Sequence, residues 1–208
     1  MSEQQPGFVH LHMHSQYSLV DGLIRLEPLM ERARELCLPA LAITEQGNLF
    51  SLVKFYRQAQ QAGVKPVIGA ELRILDDGHE GQSGHLLLLC QNGDGYRNLT
   101  RLITRSYTEG QVQGQPQVRR DWLNGATDGL IALSCARDGD IGQALVNGNT
   151  DAAKALLADW RERFPDRFYL ELQRTGRPHE NVYIDGAVRL AQDFEVPVVA
   201  STGHRIYP

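Results

Sequence analysis

The segment "FVHLHMHSQYS", residues 8–18, holds three of the chain's seven histidines. His10, His12 and His14 alternate with Leu11 and Met13. In an extended strand, residues two apart point to the same face. The three imidazoles would then share one face, with the apolar pair on the other. Neutral imidazole is the commonest metal ligand. Two such nitrogens two residues apart can hold one ion or two adjacent ions. The pattern also fits histidines hydrogen-bonded in a barrel mouth. Burying three imidazoles without partners is costly, which favours a site.

Further residues of the same chemical kind follow at intervals. They are Asp21 in "LVDG", Glu45 in "ITEQGN", Glu71 in "GAEL" and His85 opening "HLLLL", with His204 near the end of the chain. Each has an ordinary structural role available. Asp21 can start a turn with Gly22, Glu45 can cap the helix near Leu49, Glu71 can be a solvated strand-end acid, and His85 can open a strand. Their recurrence at the same end of successive strands is what points to a site. Other chemistries are absent as motifs: there is no GxGxxG, GxxxxGK[ST] or GxSxG. Cys135 has no local partner for a nucleophile's role and reads as a buried strand residue.

The elements that must position these residues alternate. Strand-like runs lie at 8–14, 39–44, 65–75, 85–92, 129–135, 167–174 and 196–201. Helical spacing occupies 26–37, 49–63, 95–107, 150–164 and 180–194. Gly63 reads as a helix C-cap, and Thr150 or Asp151 as an N-cap. Residues 76–84 are turn-rich, and 109–122 read as irregular. Apolar strands alternating with helices imply a parallel sheet covered on both faces. An open doubly wound sheet and a closed barrel both fit, and in both the site lies at the C-terminal ends of the strands.

The chain has 208 residues, enough for one large domain with a real core. Acids exceed bases by 25 to 21, giving a net charge of −4. Isolated nucleic-acid binders are usually basic, so this piece alone should not grip a phosphate backbone strongly. No apolar run is long enough to span a bilayer, and the polar start "MSEQQPG" has no signal-peptide core. Three scattered cysteines argue against a disulfide framework or a CxxC zinc site. A reducing cytoplasm is the expected setting.

Five stretches together resemble one family: "FVHLHMHSQYSLVDG", "LPALAITEQGNLFSLVKFY", "AGVKPVIGAEL", "GYRNLTRLITRSY" and "FPDRFYLELQRTGRP". They are similar, in order and over nearly the whole chain, to the PHP (polymerase and histidinol phosphatase) domain at the N-terminus of bacterial replicative DNA polymerase alpha subunits. The resemblance implies a distorted (β/α)7 barrel, spanning 1–208 as a single domain, and an N-terminal fragment of a longer polymerase. It implies up to three ions, zinc, manganese or magnesium, at the C-terminal strand ends. The family's HxH matches His12 and His14, and its later ligands match Asp21, Glu71 and His85. Its "TDHGN" matches residues 44–48, which places Glu45 at the acid.

The chain departs from that pattern at four positions. Gln46 stands at the histidine of "TDHGN". Ala136 stands at the cysteine of "LSGC", with Cys135 one place early. Gly203 and Arg205 stand at the aspartate and last histidine of "ATNDxH", with His204 one residue off register, which on a strand means the opposite face. Arg205 would also bring a fixed positive charge where an ion should sit. The expectation is a degenerate site that binds metal at reduced occupancy or not at all.

The resemblance implies a domain that supports the rest of the polymerase alpha subunit and docks a proofreading exonuclease subunit, with DNA held by the parent polymerase. The alternative is an active metal-dependent phosphoesterase acting on a DNA 3′ end or on pyrophosphate. The stretches "SLVDG", "SLVKFY" and "GYRNLTRLI" argue against a free-standing histidinol phosphatase relative.

Overall fold

A computed structural model describes residues 8–19, 22–75 and 83–201. The first helix, α1 (Leu26–Glu35), buries Leu26, Leu29, Met30 and Ala33, one stripe at helical spacing. It leads to β1 (Ala40–Gln46), then α2 (Leu52–Ala62), which ends on Gly63 at φ 72°, the left-handed cap expected there. β2 (Lys65–Leu75) and β3 (Ser83–Cys90) follow, then α3 (Gly93–Thr108), whose Asn92 side chain accepts from Asp94 N and Gly95 N.

The polar stretch after α3 is more ordered than its composition suggests. It forms a small hairpin of β4 (Gln111–Val112) and β5 (Gln115–Pro116), then β6 (Val118–Arg119) and a 3-10 turn at Arg120–Leu123. β7 (Leu130–Leu133) is followed by a 3-10 turn at Ala136–Asp138 and α4 (Asp140–Val146). That helix is short and contains Gly142, so its spacing is hard to read from sequence. α5 (Thr150–Arg163) is capped by Asn149, one residue before the caps expected from sequence. β8 (Phe168–Gln173), α6 (Glu180–Phe194) and β9 (Val198–Ser201) complete the described chain.

The main sheet runs β1-β2-β3-β7-β8-β9, with β6 added beside β2. It is not wholly parallel as expected: β3 runs antiparallel to both β2 and β7. The chain between β2 and β3 is too short for a crossover helix, and a short link joins only antiparallel strands. Residues 8–14 also differ from the expected strand. They make only a bridge, His10 to Leu41. Thr44 Oγ1 accepts from Met13 N at 2.7 Å and donates to Met13 O at 3.0 Å, so a side chain supplements the two backbone bonds that hold the segment to β1, Ala42 N to His10 O and Thr44 N to Met13 O, both 2.9 Å.

"LLLL" at 86–89 shows how the sheet is covered. Leu86 and Leu88 pack outward among Leu99, Trp160 and Leu170. Leu87 and Leu89 pack on the inner, concave face with Ala42, Leu133 and Cys135. A third apolar cluster joins Met13 to α1, α2, Leu41 and Ile43. Among the described residues no helix is long and apolar enough to cross a membrane.

Candidate metal centre

Strand alternation sets which polar side chains meet. On β2, Ala70 and Leu72 pack outward, so Glu71 faces inward. On β3, His85 shares the inner face of Leu87 and Leu89. Because β3 is inverted, its first residues, not its last, lie at the end of the sheet where β1 and β2 finish. On β8, Leu170 points outward and Glu171 inward. The N-terminal segment, held against β1 by Thr44, brings His12 and His14 over this face, both buried.

Glu71 is the meeting point. His12 Nε2 lies 2.6 Å from Glu71 Oε2 and His14 Nε2 lies 3.2 Å from it, while His85 Nδ1 bonds Glu71 Oε1. The His12 and His14 rings are 5.7 Å apart, edge to face. His12 reaches in the other direction as well: Nδ1 lies 2.9 Å from Glu171 Oε1. Burial alone would lower the His12 pKa, but the charges and hydrogen bonds of Glu171 and Glu71 raise it to about 10. Burial alone would raise the Glu71 pKa, but hydrogen bonds from His12, His14 and His85 hold it well below the ordinary carboxylate range.

Glu171 was not singled out in the sequence, although it lies in "FYLELQR". The signal was available: a lone acid inside an otherwise apolar strand pattern. It is fully buried. Its Oε1 accepts from His12, from Gln173 Nε2 at 3.0 Å and from Ser201 Oγ. Ser134 Oγ accepts from Glu171 N at 3.0 Å. Cys135 is buried beside it, and burial with the nearby carboxylates pushes its thiol pKa well up.

Other candidates lie elsewhere. Glu45 shares a face of β1 with Leu41 and Ile43, away from the cluster. It accepts from Ser15 N at 3.0 Å, from Ser15 Oγ and from Ser18 Oγ at 2.5 Å, tying down the turn after His14 rather than capping a helix. Gly22 belongs to that turn: a Cβ there would lie 1.7 Å from Ser15 O. Gln46 is on the inner face and in register with Glu71. Ala136 is buried at φ 49°, directly after Cys135 at φ 53°. His10 is half-buried, edge-on to Phe8, with a pKa lowered by burial. Asp21, Gly203, His204 and Arg205 lie outside the described residues.

The donor chemistry fits a divalent ion. His12, His14 and Glu71 each offer one ligand atom within 4.8 Å of the others, and so do His12, Cys135 and Glu171. Imidazole with carboxylate is an ordinary ligand set for first-row metals.

The PHP domain family matches residues 10–175. The chain belongs to the PHP domain family. This PHP domain is 46% identical over 199 residues to a DNA polymerase III subunit alpha of Pseudomonas fluorescens, covering 96% of this chain and 17% of that protein. It is 45% identical over 201 residues to the Escherichia coli K12 subunit of the same name, covering 97% of this chain and 17% of that protein. The chain thus spans about a sixth of the relatives it matches. Among solved structures, a candidate metal-dependent phosphoesterase from Bifidobacterium adolescentis superposes with a TM-score of 0.63 at 12% identity, covering 96% of this chain and 88% of that one. An amidohydrolase from Chromobacterium violaceum, solved with bound sulfate and no metal, superposes at 0.59 and 13% identity, covering 94% and 87%. Those two likenesses are likenesses of fold.

Proposed function

We propose that this chain is the PHP domain, 1–208, of a bacterial replicative DNA polymerase of the cytoplasm, and that its role there is structural. In this reading nucleotide addition belongs to the parent chain. The domain supports the rest of the alpha subunit and docks a separate proofreading exonuclease subunit. DNA is bound through the parent polymerase. The observation that carries the reading is the 46% identity to a DNA polymerase III subunit alpha across nearly all of this chain. The loss of hydrolytic function is supported by Gln46, which stands in register with Glu71 where the family has a histidine. Ala136, at the family's cysteine position, supports it too.

Metal-assisted hydrolysis needs ions that generate a hydroxide and neutralise charge at phosphorus. This site keeps His12, His14, Glu71 and His85 but lacks the imidazole at 46 and the thiol at 136. The test is to mix the chain with a purified proofreading exonuclease subunit and to follow comigration. In parallel, cleavage of a DNA 3′ end and of pyrophosphate is assayed with manganese, zinc or magnesium. Comigration without turnover is expected. Turnover that Glu71→Gln abolishes would overturn the structural reading in favour of a phosphoesterase. That second reading is favoured by the three donors His12, His14 and Glu71 within 4.8 Å of one another.

A further inference from the structure

His12 faces Glu71 with Nε2, and its Nδ1 lies 2.9 Å from Glu171 Oε1. His12, Cys135 and Glu171 bring their ligand atoms within 4.8 Å of one another. They are 2%, 2% and 0% exposed. The two oxygens of Glu171 are treated unequally. Oε1 accepts from His12, Gln173 and Ser201. Oε2 is buried and has no hydrogen-bond partner among the described residues. A buried carboxylate oxygen left unsatisfied costs free energy, and each such group calls for an explanation.

Cys135 reaches this spot through an uncommon backbone. Cys135 and Ala136 both have left-handed φ, 53° and 49°, and neither is glycine. Such residues each store on the order of 1–3 kcal/mol and cluster at functional sites. Here the strained turn takes the chain off β7 and leaves the sulfur within 4.8 Å of a Glu171 carboxylate oxygen.

We propose that a zinc-type ion binds between His12 Nδ1, Cys135 Sγ and Glu171, as a structural centre that staples the N-terminal segment to β7 and β8. A neutral imidazole has a single lone pair. With Nδ1 on the ion, Nε2 carries the proton and donates to Glu71, 2.6 Å away. A carboxylate behind the ring is how proteins orient metal-binding histidines. Glu71 therefore orients and Glu171 ligates. Thiolate and carboxylate together balance the ion's charge, and a sulfur ligand selects zinc over magnesium. Binding expels the thiol proton to solvent. This inference goes beyond the proposed function and is compatible with its structural reading; because His12 gives its one lone pair to this ion, a hydrolytic centre would have only His14, Glu71 and His85 of the cluster left.

Cobalt(II) added to the metal-stripped chain tests it. One cobalt per chain is expected, with a sulfur-to-cobalt charge-transfer band in the near ultraviolet that zinc abolishes by displacement. Cys135→Ser should lose the band. Glu171→Gln should weaken cobalt binding by at least about tenfold, the lower bound seen even for residues behind the ligands. The double variant Cys37→Ser, Cys90→Ser should keep the band, and it decides the matter alone if Cys135→Ser does not fold, since Cys135 is then the remaining thiol. Cobalt bound without a sulfur band, a band lost with Cys37 and Cys90, or no cobalt bound at all would each overturn the proposal.

Discussion

His12 lies 2.6 Å from Glu71 and 2.9 Å from Glu171, so one imidazole joins β2 to β8. Those strands are separated in the sheet by β3 and β7. A flat sheet would hold them roughly three strand spacings, about 14 Å, apart. One ring reaching both means that the sheet curls around the N-terminal segment. The closure of the fold and the geometry of the centre are thus the same set of contacts.

The stability of the metal-free chain should therefore depend on pH on both sides of neutrality. His12 has a pKa raised from 6.5 to about 10. Its contribution is complete below 6.5 and is lost as pH rises through 10. The limiting slope for one proton is about 1.4 kcal/mol per pH unit. Glu71 and Glu171 are shifted the other way, to below 4.5. Their contribution is present above 4.5 and is lost as pH falls below it. Urea unfolding at stepped pH after chelation should show a maximum between these limits. An alkaline decline that persists unchanged in His12→Gln would show that His12 is not its source.

Glu45 should behave as a structural acid. It is 1% exposed and satisfies three donors of Ser15 and Ser18. Glu45→Ala strands those donors and should cost roughly 3 kcal/mol. Glu45→Gln keeps an acceptor and should cost less. The loss should be the same with and without zinc. A loss that grows when zinc is present would make Glu45 a ligand.

Much of this arrangement is legible in the sequence because strand alternation is a local property. Glu71 and His85 are placed by the apolar residues on either side of them, and Gly63 by its cap position. The relation of Glu45 to Gln46 is also local, since adjacent strand residues face apart. What alternation does not reveal is pairing across the chain. His12 and Glu171 are 159 residues apart, and nothing in "FYLELQR" by itself says which imidazole its acid meets. The strand expected at 8–14 is reduced to a bridge because Met13 N turns to the Thr44 hydroxyl and only two backbone bonds, from Ala42 N and Thr44 N, reach the segment from β1. The inversion of β3 follows from a connection length rather than from any residue pattern. Asp140 belongs to an ion-pair network that no spacing rule would find.

Restoring one family donor should change the metal stoichiometry. Gln46 is on the inner face and in register with Glu71. Gln46→His adds an imidazole on the strand next to Glu71. Elemental analysis after zinc loading and desalting should show about one more ion per chain than the parent. Unchanged stoichiometry would mean that position 46 does not face the centre.

The most sensitive ion pair should be far from the centre. The Arg120 guanidinium lies 2.5 Å from Asp140 Oδ2, 2.9 Å from Asp159 Oδ2 and 4.3 Å above the Trp160 ring. Trp160 Nε1 also donates to Asp140. These contacts pin the 3-10 turn at Arg120–Leu123 to α4 and α5, with the Arg120 side chain only 11% exposed. Arg120→Met removes the cation and leaves the partly buried Asp140 without its ion pair. The expected loss is about 3 kcal/mol, or roughly 6–12 °C in Tm for a chain of this size. Arg120→Lys should recover only part of it, because an ammonium can neither fork to two carboxylates nor stack flat on indole. High salt should change the parent little, since a buried pair is weakly screened. A loss below about 1 kcal/mol would place this network with ordinary surface pairs.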